Sequence, residues 1–389
     1  MYLRESSMVR AVLLAVVLFN LIPLSAQSSA NLARFSEMTG CPIPVEGNKV
    51  QILNDPHVFY DEMLKGIREA QSFVFMEYFI FRDDSISTVI LDALAEKARE
   101  GVRTCLILDH FGCAQHMEEK GHRLRMKPFR NGFINPYLDS GGDIVFYNQG
   151  IAFPRNHRKL TLIDGKVAFT GGMNVTDLYL NGIEGVGKFW DMHLKIEGPA
   201  VQHFNAGFVR MWNECGSNPL AISFPGAPAP CGEVPLIILE TQGANIHPNP
   251  EELFSSLFAM AQDTVRLISG YFRPPKAILN SLRDAARRGV VVEMLMGASS
   301  DMPPILDKVL MQKAIRLAQE ENFTLYLQPG GFHHEKVVSI DGHLIIIGSH
   351  NLDQFSFQAN HEIGVLMDSP AIAREFDAYF DTHAQSVAL

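Results

Sequence analysis

The stretch "NHRKLTLIDGKVAFTGGMN", Asn156 to Asn174, decides the reading because "HHEKVVSIDGHLIIIGSHN", His333 to Asn351, repeats its spacing. The first carries His157-x-Lys159 and, after four residues, Asp164; the second carries His334-x-Lys336 and Asp341 at the same intervals. A small pair follows seven residues after each Asp, Gly171-Gly172 and Gly348-Ser349, with Asn174 and Asn351 two residues beyond.

The duplication extends outward. "AQSFVFMEYFIF" from Ala70 is echoed by "AQDTVRLISGYF" from Ala261, and "ILDALAEKAREGVRTCLILD" from Ile90 by "ILNSLRDAARRGVVVEMLMG" from Ile278. The latter pair reads as amphipathic helices closed by Gly101 or Gly289 and followed by β-branched strands. Each half therefore runs helix, strand, helix, strand and later the motif strand. That rhythm predicts an α/β fold of two similar lobes, each a mixed sheet flanked by helices. One motif in each half suggests a pseudo-twofold pair, with the active site expected where the lobes meet. The expected divisions are an export segment over 1–26, an N-terminal lobe over 27–215, a Pro/Gly-rich linker over 216–235 and a C-terminal lobe over 236–389.

With 389 residues, 47% hydrophobic and 20% charged, the chain reads as globular with a sizeable core. Its 33 basic and 43 acidic residues argue against a broad nucleic-acid surface, which needs a basic footprint for the phosphates. Arg4 and Arg10 precede the apolar run "AVLLAVVLFNLIPL" and the small residues "SAQSSA". This pattern predicts a signal peptide cleaved after Ala26, or an N-terminal anchor if kept. Either places the body of the protein outside the cytoplasm. There, Cys215 and Cys231 bracket a loop that a disulfide would staple. Cys105 reads as a buried, inert thiol, and no cysteine spacing suggests a zinc site.

In a strand, residues i and i+2 share a face, so His157 projects with Lys159 and His334 with Lys336, while Arg158 and Glu335 point the other way. Asp164-Gly165 and Asp341-Gly342 are hairpin signals. Two His, two Lys and two Asn around one pocket would hold a phosphate and stabilise added negative charge. One neutral His can attack phosphorus while the other, protonated, serves the leaving alcohol, so no metal is needed. Asp191 and Glu362 are the candidates to hold the far ring nitrogens. Asp164 and Asp341 belong to the motif but read as turn and strand supports. His193, His343, His350 and His361 lack a repeated pattern and read as ordinary packed residues.

These motifs, with "MEYFIFRDD", "FWDMHLKIEGPAV" and "GSHNLDQFSFQANHE", resemble the phospholipase D superfamily, and within it the bacterial cardiolipin synthases. The resemblance covers about Gln51 to Phe380. It implies a metal-independent site with His157 as nucleophile and His334 as general acid and base. Lys159, Lys336, Asn174 and Asn351 would bind the phosphate, and Asp191 and Glu362 would orient the histidines. It implies a phospholipid substrate, phosphatidylglycerol in the first instance, and work at a membrane surface. Phospholipase D-type hydrolysis to phosphatidic acid is the alternative, followed by a nuclease and a non-catalytic phosphate binder. Such synthases usually begin with two transmembrane helices. The single short apolar segment here leads us to expect a periplasmic or membrane-associated enzyme. The basic stretch "KGHRLRMKPFR", Lys120 to Arg130, is a candidate contact for anionic head groups.

Overall fold

The computed structural model describes residues 24–114, 132–148, 153–216, 218–220, 222, 224, 226–243 and 249–384. Residues 1–23, with most of the expected export segment, and 120–130, the basic stretch, lie outside that set. Among the described residues no helix is long and apolar enough to cross a membrane.

The N-terminal half contributes β1 (Val45–Leu53), β2 (Phe73–Tyr78), β3 (Arg103–Asp109), β4 (Asp143–Tyr147), β5 (Lys159–Ile163), β6 (Val167–Gly171), β7 (Lys188–Trp190) and β8 (His193–Glu197). The C-terminal half contributes β9 (Val234–Gln242), β10 (Thr264–Ser269), β11 (Val291–Gly297), β12 (Phe323–Gln328), β13 (Gly331–His333), β14 (Lys336–Ile340), β15 (Leu344–Gly348) and β16 (His361–Asp368). Fourteen of these form one sheet, ordered β12-β11-β10-β14-β15-β16-β9-β1-β8-β6-β5-β2-β3-β4. Read outward from the centre, the two sides have the same order. In each, the three outermost strands are parallel and the rest antiparallel. The lobes thus share a sheet rather than carrying separate ones, joined where β1 pairs antiparallel with β9 across a bulge.

Strand alternation explains the layering. On β2, Phe73 and Phe75 enter a central cluster, while Val74, Met76 and Tyr78 face an outer one under the helices Pro56–Glu69 and Ser85–Arg99. The central cluster also takes Leu194 and Ile196 of β8, apolar residues of the helices Val201–Cys215 and Pro370–Ala384, and Ile345, Ile347 and Val365 from the other half-sheet. A strand covered on both faces is mostly apolar, as β2, β5 and β14 are apart from Glu77, Lys159, Thr161, Lys336 and Ser339. The helices that open each half start alike: Asp55 caps before Pro56 and Asn249 before Pro250.

Two expectations need correction. The helix Leu24–Thr39, N-terminal by sequence, packs on the C-terminal half: Leu32 and Phe35 join its outer cluster and Asn31 donates to Asp368 at 2.8 Å. Cys215 and Cys231 are free thiols, as are Cys41, Cys105 and Cys113, so the linker loop carries no staple. Asp164 and Asp341, grouped with the catalytic residues by their motif, sit at the far ends of β5 and β14, about 16 Å along the strand from the lysines. Each takes a positive φ before its glycine, as a tight left-handed turn requires. The Asp164 carboxylate accepts from the backbone N–H of Gln71, Ser72 and Phe73, and Asp341 from those of Gln262, Asp263 and Thr264. They pin the start of β2 and β10 to the motif hairpins.

Asp164→Ala or Asp341→Ala should therefore cost about 1–3 kcal/mol of stability by orphaning these donors. A lowered urea midpoint with near-native turnover per folded molecule is expected; a variant of native stability that fails to turn over would return these residues to the chemistry.

Candidate active site

Two short backbone ladders, each made across the halves, build the site. The His361 N–H donates to the Arg155 carbonyl at 2.8 Å and the His157 N–H to the His361 carbonyl at 2.9 Å. In the opposite sense β13 pairs in parallel with β7, and the His334 N–H donates to the Trp190 carbonyl at 2.8 Å. Each ladder sets a motif histidine beside the acid of the other half. His157 Nδ1 lies 2.9 Å from Glu362 Oε2, and His334 Nδ1 lies 2.6 Å from Asp191 Oδ2. Both acids were legible as partners, but in the sequence each follows its own motif; in the fold they cross over. A carboxylate at Nδ1 calls for a proton there, which leaves Nε2 as the reactive nitrogen of each ring.

The lysines rise from the same strand face as the histidines, as their spacing requires. Lys159 Nζ donates to the His157 carbonyl at 2.5 Å, and Lys336 donates to the His334 carbonyl. All four side chains are buried. Burial brings Lys159 down to about 7 against the pull of Glu362, with Lys336 adding repulsion. His157 falls to about 4, first through burial and then through the two lysines, although Glu362 opposes the shift. Burial and Lys336 lower His334 as well, against Asp191. Burial alone would raise the Glu362 carboxyl; His157, His350 and Lys159 outweigh it and hold it at about 2. The pocket thus holds two desolvated lysines that repel each other, and an anion between them would relieve that repulsion.

The small pairs have a steric cause. A Cβ on Gly172 would lie 2.0 Å from Asp191 Oδ1. In the other half the acid is a longer Glu, and Ser349 fits there, its hydroxyl donating to Glu362 Oε2 at 2.5 Å. Asn174 and Asn351 are both buried at the ends of the return strands. Asn174 Oδ1 accepts from the Ile80 N–H at 3.0 Å, while Asn351 Oδ1 has no protein partner.

Sequence reasoning passed over Tyr179. Tyr179 donates or accepts around Asn174 and stands 3.5 Å from His334 Nδ1. His193 and His350 hold comparable places in the two halves, packed on Phe59 and Phe254 of the opening helices, and burial keeps them neutral, at about 3 and about 4. Their places, one two residues after Asp191 and the other just before Asn351, fit the sequence reading of both as packed residues. His343 bonds Asp368, and the His361 ring meets the Tyr147 hydroxyl at 2.8 Å.

The cardiolipin synthase, PLD-like domain family matches this chain twice, over residues 63–212 and 254–384. The probable cardiolipin synthase YwiE of Bacillus subtilis (strain 168) is 28% identical over 348 residues, covering 87% of this chain and 66% of that protein. Cardiolipin synthase 1 of Staphylococcus aureus (strain MRSA252) is 27% identical, covering 91% of this chain and 71% of that one. The chain thus spans about two thirds of the length of such relatives. In fold it is similar to the phosphatidylserine synthase of Haemophilus influenzae Rd KW20, at a TM-score of 0.69, 16% identity and 92% coverage of both chains.

The charges set a pH window. A nucleophilic His157 must be neutral, and is so above about 4, whereas Lys159 must keep its proton to hold an anion and loses it as pH rises through about 7. The kcat/KM profile should therefore be bell-shaped between these limits. Lys159→Arg should carry the alkaline limb upward; an alkaline limb unmoved in that variant would show that another group sets it.

Proposed function

Since the chain belongs to the cardiolipin synthase, PLD-like domain family, we propose that it transfers a phosphatidyl group between two phosphatidylglycerol molecules, giving cardiolipin and glycerol. It is an enzyme of the phospholipase D type, a cardiolipin synthase-like phosphatidyltransferase acting on phospholipids. The observation that carries the reaction is the pair of buried imidazoles, each held at Nδ1 by a carboxylate from the opposite half.

In the first step, His157 Nε2 attacks phosphorus while the bond to the glycerol oxygen breaks and His334 gives that oxygen its proton. A neutral His157 suits the attacker. In the second step, a hydroxyl of another phosphatidylglycerol passes its proton to His334 and attacks phosphorus, breaking the P–N bond to His157. Lys159, Lys336, Asn174 and Asn351 surround the phosphoryl oxygens as charge builds on them. Phosphate binding also supplies the negative charge that returns a proton to His334 in a site where Lys336 otherwise depresses it.

The membrane surface belongs to the same reading. Asp301 accepts from the Tyr271 hydroxyl beside His334, and the exposed apolar residues Met302, Ile305 and Leu306 follow it. Exposed apolar side chains of this kind suit a bilayer surface. Together with the export-like segment, this supports an enzyme working at a membrane outside the cytoplasm.

Purified protein with labelled phosphatidylglycerol should yield cardiolipin and glycerol, and His157→Ala or His334→Ala should lower turnover by 10³-fold or about that while leaving the fold intact. Activity should survive EDTA. Phosphatidic acid as the sole product would make the enzyme a hydrolase, and a strict metal requirement would defeat the mechanism.

A further inference from the structure

We propose that Arg155 forms a binding subsite for the phosphodiester of the acceptor lipid, an inference that rests on the transfer reading above. Hydrolysis needs room for one phosphate. Transfer to phosphatidylglycerol brings two anions together, because the attacking hydroxyl is tethered to the acceptor's own phosphate. From that hydroxyl oxygen to the acceptor phosphorus runs a chain of five single bonds, about 6 Å when extended at ~1.5 Å per bond. A cation is therefore wanted just outside the reacting centre, on one side of it.

Arg155 stands two residues before His157 on extended chain, so its side chain leaves the backbone on the same side as the imidazole. Its guanidinium carbon lies 4.3 Å from the Phe153 ring and 4.4 Å from Phe111, with Phe79 at 5.7 Å and Phe355 at 6.0 Å. Phe79 links it to the chemistry: the same ring is 4.9 Å from the His157 ring and 5.2 Å from Lys159 Nζ. Arg155 and His157 can be no farther apart than two ring-centroid distances laid end to end. Aromatic rings over the guanidinium hold it rigid while its N–H edge retains the fork geometry that matches a phosphate. Two carboxylates lie near enough to act on its charge. Asp109 accepts from the backbone of Gly112 and Asn156, and Asp353 accepts from that of Ser356.

The cation is one-sided. The matching position before His334 is Phe332, which is buried and packs on the His334 ring at 5.6 Å. The two halves supply the same His, Lys and Asn, yet two residues before the histidine one half carries Arg155 and the other Phe332. Phe355, 54% exposed and stacked on Phe153 at 4.8 Å, extends the cage toward solvent as an apolar wall for an acyl chain.

The test uses the full chain in mixed micelles of labelled phosphatidylglycerol with excess labelled glycerol. Cardiolipin and glycerol-exchanged phosphatidylglycerol then form from one phosphatidyl-enzyme, the first through an anionic acceptor and the second through an uncharged one. Arg155→Gln should lower the cardiolipin-to-exchange ratio by about tenfold or more, and Arg155→Lys should recover part of it. Loss of folded protein lowers both products together and leaves the ratio alone. Should Arg155→Gln abolish both products, Arg155→Lys supplies the ratio. An unchanged ratio, in a wild type that makes both products, overturns the subsite and leaves the transfer reading standing. A wild type that makes no cardiolipin overturns the transfer reading and the subsite with it.

Discussion

Each histidine of this site takes its carboxylate from the other half of the chain, and the rest of the architecture serves that exchange. Backbone pairing sets the distances: His157 is tied to His361, one residue from Glu362, and His334 to Trp190, one residue from Asp191. Neither half alone holds an oriented imidazole. The central apolar cluster, drawn from both half-sheets and from the helices Val201–Cys215 and Pro370–Ala384, keeps the ladders in register. A continuous sheet through β1 and β9 removes a free edge at the join.

Buried charge is tolerable here because it is arranged in alternation. Two lysines, two acids and two imidazoles lie in one desolvated volume, each cation facing a carboxylate across the interface. Removing one member would leave its opposite uncompensated in a low-dielectric setting, which costs more than the pair itself contributes. The balance is set for a visiting anion rather than for the empty protein, since the lysines depress both imidazoles. Strain of this kind at a site is a reservoir for binding.

Much of this was legible in the sequence. The His-x-Lys spacing gave the strand face, Asp-Gly the hairpins, and the duplicated blocks the order of elements. What was not legible was long-range. Asp191 and Glu362 could be named, but which histidine each would hold depends on β7 and β13 meeting, a pairing some 140 residues apart in sequence that no local pattern encodes. Helix Leu24–Thr39 was assigned by position, yet its apolar face found the other half. Arg155 and its rings come from separate stretches, with no repeat to mark them. The Asp164 and Asp341 carboxylates show the converse: a motif can include residues for their architecture.

The two halves differ in compensated pairs. Gly172 goes with Asp191 and Ser349 with Glu362, because Asp191 excludes a Cβ whereas Glu362 accepts a hydrogen bond from the serine hydroxyl. Likewise Met173 goes with His193, while His350 faces Gly364, where a Cβ would lie 3.2 Å from its ring. Residues in such pairs are epistatic: a serine harmless at 349 would collide at 172, and only a matched change of the acid would admit it. The motif strands of the two halves are therefore not interchangeable parts, despite their common spacing. Sequence drift in this interface is confined to joint moves, and each half retains its own grammar of allowed neighbours.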